Sequence, residues 1–103
     1  MQDEMATAEA TTLFELADLL GLDLEIRRYA NQRGRFTCAL ERAETKARRR
    51  DSVLESTYGT GHGAKTAMID YVGKIRGRIL VIDAYKPSRR ELLVPENLSL
   101  WSV

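Results

Sequence analysis

The chain has 103 residues, 44% of them hydrophobic, with only two prolines, which is the length of one domain with enough apolar material for a core. No apolar run approaches the ~18–20 residues that span a bilayer, and the opening MQDEMATAEATT has neither the basic nor the apolar region of a signal peptide. The single cysteine, Cys38, excludes an internal disulfide and a multi-cysteine zinc site and fits a reducing cytoplasm.

A net charge of +1 hides a strong asymmetry. Residues 1–25 carry seven acids and no Lys or Arg, a charge of −7, whereas residues 26–50 carry nine bases against two acids, a charge of +7. The remainder is near balance. Either the acidic segment lies beside the basic one and neutralises it, or the basic band faces outward and is used there.

In chain order, residues 1–10 lack apolar periodicity and read as a flexible acidic leader, with a single domain over 11–103. Thr12 and Glu15 have the spacing of a capping box. Leu13, Leu16, Ala17 and Leu20 then form the apolar stripe of a helix, and Gly21 suits its C-terminal stop. From Leu22 the period changes to two, so Leu22, Leu24 and Ile26 give a strand with one buried face, while Arg27 and Tyr29 point to solvent. A turn at 31–34 leads to a second strand with Phe36, Cys38 and Leu40 on one face. Residues 46–51 read as a charged loop or a ragged strand end and 53–58 as a short third strand.

The second helix follows Gly63, with Ala64, Ala67, Met68, Tyr71, Val72 and Ile75 in one stripe, closed by Gly77. Ile79–Ile82 is apolar on both faces and belongs inside a sheet, and 91–94 forms a last strand before Pro95. The expected fold is α+β: a small antiparallel sheet of three to five strands with two helices packed on one face, in the order α-β-β-β-α-β-(β).

Gly59-Thr60-Gly61-His62-Gly63-Ala64-Lys65-Thr66 falls one residue short of a Walker A loop, since Ala64 replaces its second fixed glycine. Too little chain follows for the parallel sheet that a nucleotide-hydrolysing fold needs. Gly61, His62 and Gly63 at a helix N-terminus, with Lys65 in the first turn, form a candidate anion-binding loop, or else the glycines simply permit a tight turn. His62 has no companion ligands for a metal, Cys38 lies on an apolar strand face, and no catalytic set stands out, so no enzyme activity, metal or cofactor is expected. The candidate contact residues are Arg27, Tyr29, Arg33, Arg35, Arg48, Arg49, Arg50 and Lys65. Clustered arginines serve both phosphate binding and protein interfaces. The pI of about 7.9 lies below the range of dedicated nucleic-acid binders. The ending Leu98-Ser99-Leu100-Trp101-Ser102-Val103 either packs back on the sheet or pairs with another chain as a homodimer contact.

Over residues 11–76 the order of elements resembles a double-stranded-RNA-binding domain. Leu13-Phe14-Glu15-Leu16 stands where that family has its first-helix Glu, and Phe36-Thr37 where its second strand starts. Gly59 and Gly61, with Lys65 and Ala67, are similar to the glycine- and lysine-rich approach to its second helix. That resemblance implies RNA contact through Glu15, Lys65 and the hairpin arginines. Tyr58–Gly63, Ile69-Asp70-Tyr71 and Arg89–Glu96 resemble small accessory proteins of tailed bacteriophages. This likeness implies a protein acting in a bacterial host cytoplasm by binding a host protein or ribonucleoprotein complex, including inhibition of antiviral nucleases such as CRISPR complexes. A weaker likeness is to HicB-type antitoxin domains. The expected function is therefore a non-enzymatic phage-type binding or inhibitor protein, with direct RNA or DNA binding through residues 27–50 as the alternative and nucleotide binding at Gly59–Lys65 as a remote third.

Overall fold

A computed structural model describes residues 5–32 and 34–101. The first helix, α1 (Leu13–Leu20), starts where the capping box requires. The Thr12 hydroxyl accepts the Glu15 N–H at 3.1 Å, and the Glu15 carboxylate accepts the N–H groups of Thr12 and Thr11. Gly21 adopts φ +67° and ends the helix. The Arg90 guanidinium donates to the Leu20 carbonyl at 3.0 Å, placing a cation at the negative end of the helix dipole.

Six strands follow: β1 (Leu24–Arg28), β2 (Phe36–Leu40), β3 (Ala43–Lys46), β4 (Gly59–Gly61), β5 (Ile79–Ile82) and β6 (Arg90–Leu93). The second helix, α2 (Ala64–Ile75), lies between β4 and β5. The α+β class and the antiparallel pairing hold, but the strands divide over two sheets rather than one, in the orders β1-β2-β4 and β3-β5-β6. The division falls at Glu41–Arg42, where Arg42 takes φ +63° and turns the chain out of the first sheet. Arg42 is fixed there by Asp83, whose N–H bonds its carbonyl and whose carboxylate meets its guanidinium at 3.0 Å.

One core serves both sheets: Leu13 and Leu16 of α1, Tyr71, Val72 and Ile75 of α2, Leu80 and Ile82 of β5, and Val94 and Leu98 beyond β6 belong to one cluster. The predicted stripe of α2 is its buried face, and β5 is buried along its whole length. Gly59 and Gly61 exist for packing. A Cβ on Gly59 would lie 2.1 Å from the Ala67 carbonyl oxygen, and one on Gly61 2.7 Å from the Ala67 nitrogen, so α2 can seat on β4 only without side chains there.

Three expectations are corrected. The strand expected over 53–58 is not formed; Val53 is 79% exposed, only Glu55 makes an isolated bridge, to Thr45, and the strand is β4 instead. Of the two readings of residues 46–51, the strand end holds for Lys46, which closes β3 (Ala43–Lys46); 4% exposed, it reaches Glu91 at 2.8 Å and the Arg49 carbonyl at 2.8 Å. Ile26 is not buried: it is 41% exposed, since α2 lies over β2 and β4 and leaves β1 uncovered. Residues 6–10 are not a leader, because Leu93 N–H bonds the Ala6 carbonyl, Ala8 N–H bonds the Leu93 carbonyl, and Ala8 and Ala10 are buried; residues 1–4 lie outside the described residues.

Of the two arrangements open to the C-terminal segment, the structure has the packed one. Leu98 and Leu100 enter the core, and Ser99 runs parallel to Thr12, accepting the Leu13 N–H and donating to the Thr11 carbonyl. Trp101 remains 51% exposed, and Ser102 and Val103 lie outside the described residues.

Candidate functional site

The β1–β2 hairpin carries Arg27, Arg28, Arg33 and Arg35 with no acid between Ile26 and Leu40. Its ladder is regular from Leu24↔Leu40 to Arg28↔Phe36 and closes with the Tyr29 N–H on the Arg35 carbonyl at 3.0 Å. Arg35 lies with its guanidinium carbon 5.2 Å from the Tyr29 ring centroid, a cation–π stack, and donates to Gln32 Oε1 at 2.8 Å. Arg27, Arg28 and Arg35 make no ion pair with any described residue. No acid of residues 5–25 forms an ion pair with these three. Arg33 lies outside the described residues.

Pairing of Phe36 with Gly61 brings the β4–α2 turn beside this tip. Gly34 takes φ +65° and passes so close to His62 that a Cβ there would stand 3.1 Å from Nδ1. Gln32, Gly34, Arg35, Thr60, Gly61 and His62 line an open recess of about 430 Å³. Of the residues singled out in the sequence, the fold thus gathers Arg27, Tyr29, Arg35, Gly61 and His62. It adds Gln32, which sits in the turn without a motif of its own; Arg28 is exposed on the other face of β1, the one that carries Ile26 and Phe36.

Other candidates do not join them. Lys65 turns to the opposite flank, its ammonium 5.3 Å from the Trp101 ring centroid. Gly63 gives its N–H to Thr66 Oγ1 and its carbonyl accepts from the same hydroxyl, both at 3.0 Å. The Thr60 N–H is held by Asp70 Oδ2 at 2.8 Å, so this turn amide already has a carboxylate. That bond and the Lys74 ammonium at 2.9 Å hold the Asp70 carboxyl below its ordinary range. The Walker-like segment also lacks the required topology, because β4 and β5 lie in separate antiparallel sheets.

Arg48, Arg49 and Arg50 are exposed on the loop after β3. Residues 55–61 run antiparallel to both β2 and β3, through Gly59↔Cys38 and Glu55↔Thr45. The hairpin tip therefore lies at the Gly61 end of that run, in the first sheet, and the loop at its Glu55 end, beside the second. The basic band of 27–50 is two patches, not one face. Cys38 is buried, and among the described residues no group of three or more His, Cys, Asp or Glu could hold a metal ion. No helix among the described residues is long and apolar enough to cross a membrane. No protein-family model matches the chain, and no curated protein or solved structure is significantly similar to it.

Proposed function

We propose that this chain is a non-enzymatic binding module that seats its β1–β2 hairpin tip on an anionic surface of a larger protein or ribonucleoprotein complex. The observation that carries the reading is that Arg27 and Arg35, without an ion pair to any described residue, share the Tyr29 face of the hairpin beside His62. Arginine and tyrosine are the side chains that concentrate binding energy at interfaces. A guanidinium held by stacking loses less freedom on contact than a free one. The likeness of residues 53–96 to small tailed-phage accessory proteins directs the search to a bacterial host complex and to an anti-defence role. Arg48–Arg50, at the far end of β3, would serve as a second and separate contact.

Direct RNA or DNA binding is the second reading, favoured by the same absence of acids from residues 26–40. One experiment separates them. A photo-crosslinking side chain replacing Tyr29 gives a discrete protein adduct in bacterial lysate under the first reading and a nucleic-acid adduct under the second. In both, Arg27→Glu with Arg35→Glu abolishes it. Adducts from a probe at Tyr85, with none at Tyr29, would overturn the assignment of the surface.

A further inference from the structure

Among the described residues, three of the four sheet edges are already occupied. Leu93 of β6 exchanges hydrogen bonds with Ala6 and Ala8, and Thr45 of β3 exchanges them with Glu55. On β4, Thr60 gives its outer N–H to Asp70. The outer edge of β1 has no partner among the described residues.

The hydrogen-bond phase of β1 specifies which groups that edge presents. Asp23 accepts from Glu41 and Tyr29 donates to Arg35, so the odd-numbered residues bond inward to β2. Leu24, Ile26 and Arg28 consequently direct their N–H and C=O groups outward. The sequence of this edge, Leu24-Glu25-Ile26-Arg27-Arg28, is self-complementary when laid antiparallel on itself about Ile26. In that register the outward residues face each other: Ile26 meets Ile26, and Leu24 meets Arg28 on each side. Each facing pair can exchange two main-chain hydrogen bonds. Glu25 falls opposite Arg27 of the second copy, twice by symmetry, and opposite residues of paired strands project to the same face.

We infer that β1 is the interface of a twofold homodimer, in which β1 pairs antiparallel with β1 of a second copy about Ile26 and joins the two β1-β2-β4 sheets into one. The phase of the hydrogen bonds, the Glu25–Arg27 complementarity and the exposure of Ile26 select the same register. Ile26 lies across from Cys38, on the sheet face that α2 covers elsewhere, and pairing covers the side chain that α2 leaves open. Because the strands are antiparallel, the two hairpin turns carrying Tyr29 and Arg35 point away from each other and stay available, while Arg27 is engaged by Glu25 of the second copy.

The test is the molar mass of the full chain by light scattering across a concentration series, with circular dichroism to verify the fold of each variant. The wild type is expected at twice the 11.7 kDa chain mass. Ile26→Lys, which sets two ammonium groups at the axis, gives a monomer. Glu25→Arg weakens the dimer about tenfold by opposing like charges twice, and Glu25→Arg with Arg27→Glu restores it. A wild type that is monomeric throughout the series overturns the inference. So does a dimer that Ile26→Lys leaves intact, which would move the interface elsewhere, for instance to the exposed Trp101. Should Ile26→Lys unfold, failure of the double exchange to rescue Glu25→Arg overturns it equally.

Discussion

The Tyr71 hydroxyl accepts the Leu40 N–H at 3.1 Å, joining the middle of α2 to the end of β2 beneath the surface. Leu40 lies just beyond the reach of β4, whose pairing with β2 ends at Cys38↔Gly59. The helix thus supplies the acceptor that a longer β4 would have supplied. Burial pushes the Tyr71 phenol up to about 12, so it stays protonated across the whole working range.

Tyr71→Phe keeps the packing and removes that acceptor. Leaving a buried N–H unpaired costs about 1–3 kcal/mol. In a domain of this size each kcal/mol lowers Tm by roughly 4–8 °C. Thermal unfolding followed by circular dichroism should show a drop of that order with the native spectrum retained.

Two glycine substitutions should move in opposite directions. Gly59→Ala forces a methyl group against the Ala67 carbonyl and the Tyr71 nitrogen, which are main-chain atoms that cannot step aside. Overpacking of this kind costs about 3 kcal/mol. Gly73 lies exposed within α2 with nothing near its Cβ position, so Gly73→Ala should stabilise by about 0.5–1 kcal/mol through helix propensity. Urea midpoints of the two variants against wild type check both signs.

Acid should weaken the fold through two carboxylates. The Lys46 ammonium, with a smaller contribution from Arg89, holds Glu91 below its ordinary 4.5; the Thr60 N–H and Lys74 hold Asp70 below its ordinary 3.8. A carboxyl depressed in the folded state contributes stability that is fully present above its unfolded pKa and lost as pH falls through the folded one. Tm should therefore be level above about pH 5 and fall below it. Asp70→Asn with Glu91→Gln should flatten that slope while lowering the plateau.

Burial pushes the Cys38 thiol up to about 11 from an ordinary 9.0. At mildly alkaline pH the buried thiol therefore holds about 100-fold less thiolate than an exposed one, and the thiolate is the reactive form. Labelling by a disulfide reagent at that pH should be at least about 100-fold slower in buffer than in concentrated urea. Equal rates would place Cys38 at the surface.

The features legible in the sequence are those that local periodicity encodes. Thr12, Glu15 and Gly21 bound α1 because their capping chemistry is complete within a few residues. The stripe Ala67, Tyr71, Val72 and Ile75 marks α2 for the same reason. What escaped depends on distant partners. Lys46 is buried only because Glu91, far along the chain, neutralises it. Ile26 is exposed only because β1 is an edge that α2 does not cover. Within the candidate site, Tyr29 and Arg35 are neighbours across one hairpin and could be paired by inspection. That the tip and Arg48–Arg50 belong to different sheets follows from the turn at Arg42 and from Gly59–Gly61 pairing with β2 while Glu55 bridges β3, which no local pattern announces.

The parallel bridges Thr7↔Leu93 and Thr12↔Ser99 stitch the first turns of the chain to the last. Leu98 and Leu100 complete the same core that Leu13 and Leu16 begin. On the ribosome, α1 would emerge with its apolar face open and could not fully close it until Leu98 and Leu100 had been translated. Contacts of such separation slow folding by demanding closure of the entire loop. The hairpin of β1 and β2, built from neighbours in sequence, needs no such delay. The strands that carry the arginine tip can thus meet while the core beneath α1 still waits for Leu98 and Leu100.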